Sequence, residues 1–106
     1  MNYFLSDAAD ADLQDIYQFG YGAWGERQAG SYISELQSLF ERLAASPGIG
    51  RHRPDLHATL QSFPHSAHQV FFTQLGSQVA FVRVLHGAAD HQRQFQDYDP
   101  ISALKR

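Results

Sequence analysis

The sequence predicts an α+β domain: an N-terminal strand and a helical hairpin packed on a small antiparallel sheet. The predicted order is β-α-α-β-β-β with a short C-terminal helix. Three observations carry this reading. Apolar residues recur at helical spacing through roughly the first 45 positions. Three stretches rich in β-branched and aromatic residues follow a Pro47-Gly48 break. The run Val79-Ala80-Phe81-Val82-Arg83-Val84-Leu85 is apolar on both faces except at Arg83, the pattern of a central strand covered on both sides.

Taken in order, Asn2–Ser6 opens as a short apolar strand. Ser6 or Asp7 then offers a helix N-cap, with Asp10 near the positive helix end. Ala9, Leu13, Ile16 and Gly20 form the inward stripe of the first helix with Tyr17 beside them, and Asp7, Asp10, Gln14 and Gln18 lie opposite. The glycines at 20, 22 and 25 are expected to break this helix and start another near Trp24–Arg27. Ala29, Tyr32, Ile33, Leu36, Leu39, Phe40 and Leu43 follow i, i+3, i+4, i+7 spacing in the second helix. Pro47–Asp55 reads as a loop. Strands are expected at Leu56–Phe63, Ala67–Leu75 and Gln78–His86, with Pro64 separating the first two and Gly76-Ser77 turning the last two. Ala88–Phe95 is the expected terminal helix. One domain over residues 1–96 and a tail over 97–106 complete the reading.

Composition narrows the class. At 106 residues, 43% hydrophobic and 18% charged, the chain matches a globular domain large enough for one core. It has no cysteine, which excludes disulfides, thiolate metal sites and cysteine nucleophiles. The acidic, lysine-poor start is unlike a secretory signal, and no apolar run approaches a membrane span, so a cytoplasmic location is expected. Net charge is −3 but divided. Residues 1–46 hold seven acids against two arginines, a balance of −5; residues 47–96 hold four arginines against two acids and all six histidines. Strong direct binding to nucleic acid is not expected of so acidic a chain.

Several ordered pieces then resemble the ParE/RelE toxins of type II toxin–antitoxin systems. They are Ala11-Asp12-Leu13-Gln14-Asp15-Ile16, Trp24-Gly25 and Ala29-x-x-Tyr32 in the hairpin. Next come Leu43-Ala44-x-x-Pro47-x-x-Gly50-Arg51-x-Arg53-x-x-Leu56 and Ser62-Phe63-Pro64. His68-x-Val70-Phe71-Phe72, Arg83-Val84-Leu85-His86, Asp90 and Phe95 complete the set. The resemblance covers about residues 3–95 and is nearest the ParE-like branch. It implies a toxin that inhibits DNA gyrase and blocks replication, serves plasmid maintenance, and is neutralised by a cognate antitoxin. The alternative is a RelE-like ribosome-dependent mRNA endoribonuclease; a third possibility is a toxin fold without toxicity. The fold alone does not choose among them.

Individual residues sharpen the choice. Metal-free RNA cleavage needs a base, an acid and cations for the phosphate, for which His86, His68, Arg83 and Arg51 are the candidates. Yet Lys105 is the chain's only lysine, which disfavours a ribosome-binding surface. Binding rather than catalysis is therefore expected, with Arg51, Arg53, Arg83, His86, Asp90 and Phe95 meeting the target. Arg83 either presents its fork of donors to that target or forms a structural pair with Asp90 or a helix acid. His86 is a contact or acid–base residue, or a capping histidine. Leu13, Tyr17, Trp24, Tyr32 and Leu36 are expected to meet the antitoxin. Trp24 is expected to plug the hairpin end as core, with an exposed aromatic anchor as the alternative. His65-x-x-His68 and His86…Asp90-His91 lack metal-ligand spacing, so neither a metal nor a cofactor is expected.

Overall fold

Ser6 ends the first strand and starts the first helix. In the computed structural model, which describes residues 2–96 and Leu104, its hydroxyl accepts from the Ala9 N–H at 3.0 Å. That is the N-cap expected of a serine before an amphipathic run. The elements are β1 (Asn2–Leu5), α1 (Asp7–Trp24), α2 (Glu26–Ala45), a 3₁₀ turn (Pro47–Ile49), β2 (Arg51–His52), β3 (Gln61–His65), β4 (His68–Leu75), β5 (Gln78–His86) and α3 (His91–Gln96). The five strands lie in the order β1-β5-β4-β3-β2. The sheet is mixed rather than purely antiparallel, because β1 runs parallel to β5 while the other neighbours are antiparallel.

β5 is the central strand its composition predicts. One core forms between the hairpin and the sheet from Leu36, Phe40, Leu43, Val70, Phe72, Phe81 and Val84. A second forms under the opposite face from Leu60, Phe71, Val82, Leu85 and Phe95. Phe40 and Phe81 stack with ring centroids 4.5 Å apart. Burying a ring of this kind contributes about 1.5–3 kcal/mol.

Five expectations are corrected. The first helix does not break at Gly20 or Gly22. It runs to Trp24, and Gly20 is buried where a Cβ would lie 3.3 Å from that of Ala29, so glycine there lets the two helices approach. The break is Gly25 alone, at φ 93°, a left-handed conformation suited to glycine. The Pro47–Asp55 segment is not wholly loop but includes β2, a two-residue edge strand. The strand expected at Leu56–Phe63 begins only at Gln61, because Arg53–Leu60 folds into turns closed by Leu56 N–H and His57 N–H to the Arg53 carbonyl. Pro64 lies inside β3 rather than ending it. β2 pairs only with Gln61 and Ser62, so among the described residues no strand covers the outer edge at Pro64 and its missing N–H costs little. The hairpin turn is instead Ser66-Ala67, with Ser66 at φ 52°. The terminal helix starts at His91, three residues later than expected. The expected tail lies outside the described residues apart from Leu104, which packs on the second core.

Candidate functional site

The β4–β5 register slips between Phe71 and Phe72, so that Phe71 pairs with Arg83 and Phe72 with Phe81. Val82 is the extra residue of this bulge. Beyond Leu5 no strand among the described residues flanks β5 on that side, and its backbone groups find side-chain partners. The Ser6 hydroxyl donates to the Val82 carbonyl at 2.8 Å. The Val84 N–H donates to Asp12 Oδ2 at 2.9 Å. The same carboxylate takes Arg83 Nε at 2.8 Å and Nη2 at 2.9 Å, a fork-to-fork pair. Asp12 thus replaces the missing strand, and Arg83 has the helix acid, not Asp90, as its partner.

Phe71 meets two of the residues expected to bind the target, Arg53 and Phe95. The Arg53 guanidinium carbon lies 5.8 Å from its ring centroid, and the rings of His91 and Phe95 meet it edge-on at 5.1 Å. Arg53 also forms a bidentate pair with Asp55 at 3.1 and 3.0 Å, and its hydrogen bond holds the Asp55 carboxyl below the usual carboxylate range. Phe95 is 5% exposed. It cannot meet a target directly, because an aromatic on the inner side of a short helix completes the second core. Asp90 accepts the Arg93 N–H at 3.2 Å as the cap of α3. His86 Nδ1 accepts the Ala88 N–H at 3.1 Å, the capping role. Arg51 is exposed on β2 opposite Ser62.

The hairpin residues divide into two sides. Leu13 and Tyr17 border a shallow groove of about 310 Å³ with Asp10, Gln14, Ile33 and Gln37. Trp24 and Tyr32 line a larger cleft of about 530 Å³ at the hairpin's end, with Ile16, Phe19, His68 and His86. Leu36 is fully buried between hairpin and sheet, so its inward spacing marks core rather than interface. Trp24 is 55% exposed, which corrects the expectation that it plugs the hairpin end.

At the cleft floor the Tyr32 hydroxyl lies 2.6 Å from His68 Nδ1 and donates to the His65 carbonyl at 3.3 Å. Burial and the nearby Glu35 push the Tyr32 phenol above its ordinary value, which keeps it a neutral donor. Burial pushes His68 below its ordinary value, with His86 and His65 adding to the effect and Asp12 opposing it. The His68 and His86 rings meet edge-on at 5.6 Å. Among the described residues no group of three histidine or carboxylate side chains is arranged to hold a metal. No helix among them is long and apolar enough to cross a membrane.

A pH dependence follows. Folding holds His68 below the unfolded value of about 6.5, so the unfolded chain binds its proton first as pH falls. His68 should therefore contribute stability above about pH 6.5 that is lost on acidification through its lower folded value. Denaturant melts at pH 7.5 and 5.5 should show lower stability at 5.5, with a shallower slope for His68→Gln. Equal slopes for both proteins would refute the assignment.

Sequence reading missed Asp12 as a site residue, along with Phe19, Tyr21 and Phe71. Phe19 and Tyr21 flank a glycine just before the only tryptophan, which is a legible aromatic cluster. Asp12 gave no such signal, since its partner is 71 positions away.

Known proteins resemble the chain in sequence and in fold. A family model described as the ParE toxin of type II toxin–antitoxin system, parDE, matches residues 3–91. The chain is 39% identical over 84 residues to Toxin ParE1 of Caulobacter vibrioides, spanning 79% of this chain and 86% of that one. It is 37% identical over 92 residues to Toxin ParE1 of Mycobacterium tuberculosis, spanning 86% and 94%. A solved structure titled as the chromosomal ParDE TA system from P. aeruginosa shares the fold, with a TM-score of 0.72 at 18% identity over 81% of this chain and 95% of that one.

Proposed function

This chain belongs to the ParE toxin family of type II toxin–antitoxin systems, and from that premise we propose that it binds DNA gyrase, blocks replication and is neutralised by a cognate antitoxin. The observation that carries the binding mode is how the cations are used. A nuclease needs free donors for a phosphate. Here two donors of Arg83 are taken by Asp12 and two of Arg53 by Asp55, while Phe95 and His91 cover the Phe71 ring between them. The proposed target surface is the sheet end carrying Arg51, Arg53, His86 and Asp90, with Arg83 and Phe95 supporting it from within.

The histidine pair His68–His86 and the exposed Arg51 favour the ribonuclease alternative, since two imidazoles can divide acid and base roles and a cation can meet a phosphate. Asp15 on the same cleft, which no Lys or Arg lines among the described residues, opposes a phosphate there. Induction without antitoxin should trigger the DNA damage response and leave messages intact. His86→Gln should stay toxic, because a lost hydrogen bond is worth about 0.5–1.5 kcal/mol, whereas a lost acid–base group costs about 10²–10⁴-fold in rate. Message cleavage at ribosomes with gyrase unaffected, or a folded His86→Gln protein without toxicity, would overturn the binding mode.

A further inference from the structure

The largest exposed aromatics of the described residues gather at one place. Phe19 is 71% exposed and Tyr21 and Trp24 are each 55% exposed, all in the last turns of α1. Phe19 and Trp24 meet edge-to-face with ring centroids 6.1 Å apart. Together with Ile16, Tyr32 and Ala67 they wall the 530 Å³ cleft, a volume that accepts a large side chain with part of its backbone. Aromatics standing free in a cluster of this kind mark a surface that another molecule desolvates. The cleft also has a charge. Among the described residues Asp15 is its only lining carboxylate and no lysine or arginine lines it, and the hairpin half of the chain carries −5.

Resting on the toxin–antitoxin reading, we propose that this cleft seats a segment of the antitoxin bearing one large apolar side chain, inserted between Trp24 and Tyr32, and a lysine or arginine facing Asp15. The apolar walls supply the desolvation and the carboxylate sets register and charge preference. The groove beside Leu13 and Tyr17 is smaller, and glutamines and Asp10 make up much of its border, so it is the weaker anchor.

Trp24 is the chain's only tryptophan, which makes it a reporter built into the cleft. The full chain carrying 5-fluorotryptophan is titrated with the full-length antitoxin encoded beside it, and the fluorine resonance and binding curve are followed. Binding should shift the Trp24 resonance and protect it from a soluble paramagnetic agent. Asp15→Lys should weaken affinity about tenfold or more and Asp15→Asn less, with the melting temperature of the free toxin as the folding control. Reversing the sign of the antitoxin's basic residue should restore affinity to Asp15→Lys, and Ser77→Ala in the exposed β4–β5 turn should change it less than threefold. A tight complex that leaves the Trp24 resonance and the Asp15 variants unchanged would overturn the cleft assignment alone. Absence of any complex would overturn the antitoxin reading on which it rests. A resonance that shifts with toxin concentration alone, alongside a dimer in sedimentation, would assign the cleft to a second copy of this chain.

Discussion

Asp12→Ala should lower the melting temperature by roughly 12 °C and do more harm than Arg83→Ala. Its carboxylate accepts three hydrogen bonds, two from the Arg83 guanidinium and one from the Val84 N–H. Removing one partner of a buried ion pair costs about 3–5 kcal/mol. These side chains are 20% and 12% exposed, so water screens part of the loss and the lower figure applies. At about 4 °C per kcal/mol for a domain of this size, that gives the stated shift. Arg83→Ala leaves Asp12 bonded to Val84, whereas Asp12→Ala strands a backbone N–H on a strand edge that β1 has already left. Arg83 can also turn its charged end toward water once the carboxylate is gone, so the unpaired N–H is what separates the two variants. Asp12→Asn, which keeps an acceptor for Val84, should fall between. Thermal melts that rank Arg83→Ala as the more damaging change would show that the carboxylate does not serve as the surrogate strand.

The same pair explains why the fold was more legible than the site. Helical spacing placed α2, and the doubly apolar run placed β5 at its observed limits. Both patterns arise from burial of contiguous faces, which sequence records directly. Leu56 and Leu60 misled because apolar residues were read as strand, although here a turn feeds both into the second core. Pro64 misled because its tolerance depends on which edge of β3 is open, a property of β2 and not of the proline. Asp12 reads as one more acid of an acidic helix until topology brings Arg83 beside it. Trp24 reads as core because aromatics usually are, and its exposure becomes intelligible only with another molecule in view.

Gly50→Ala should cost about 2–3 kcal/mol, while Gly48→Ala, two residues earlier, should change stability by less than about 0.5 kcal/mol. Gly50 has φ −75° and ψ 152°, a conformation open to any residue, so backbone freedom does not explain the glycine. Space does. A Cβ there would run into the Phe72 ring, 2.9 Å from Cε1 and closer still to Cζ, and would stand 3.4 Å from Gln61 Nε2. Phe72 is fully buried and packs on Phe81 with centroids 5.8 Å apart, so the ring cannot swing aside cheaply. The backbone must yield instead. That displacement would strain the Gln61 side-chain hydrogen bond to the Pro47 carbonyl at 2.9 Å and the pairing of Arg51 with Ser62. At Gly48 an added Cβ meets nothing within 4 Å. Phe72→Leu should recover part of the loss in the double variant, since contacting residues couple by about 0.5–3 kcal/mol. Because Arg51 follows directly in the chain, the displaced strand should also weaken toxicity more than the stability loss alone accounts for. Equal denaturant midpoints for Gly50→Ala and the unaltered chain would show that the Phe72 ring has room to move, and would remove steric fit as the reason a glycine precedes Arg51.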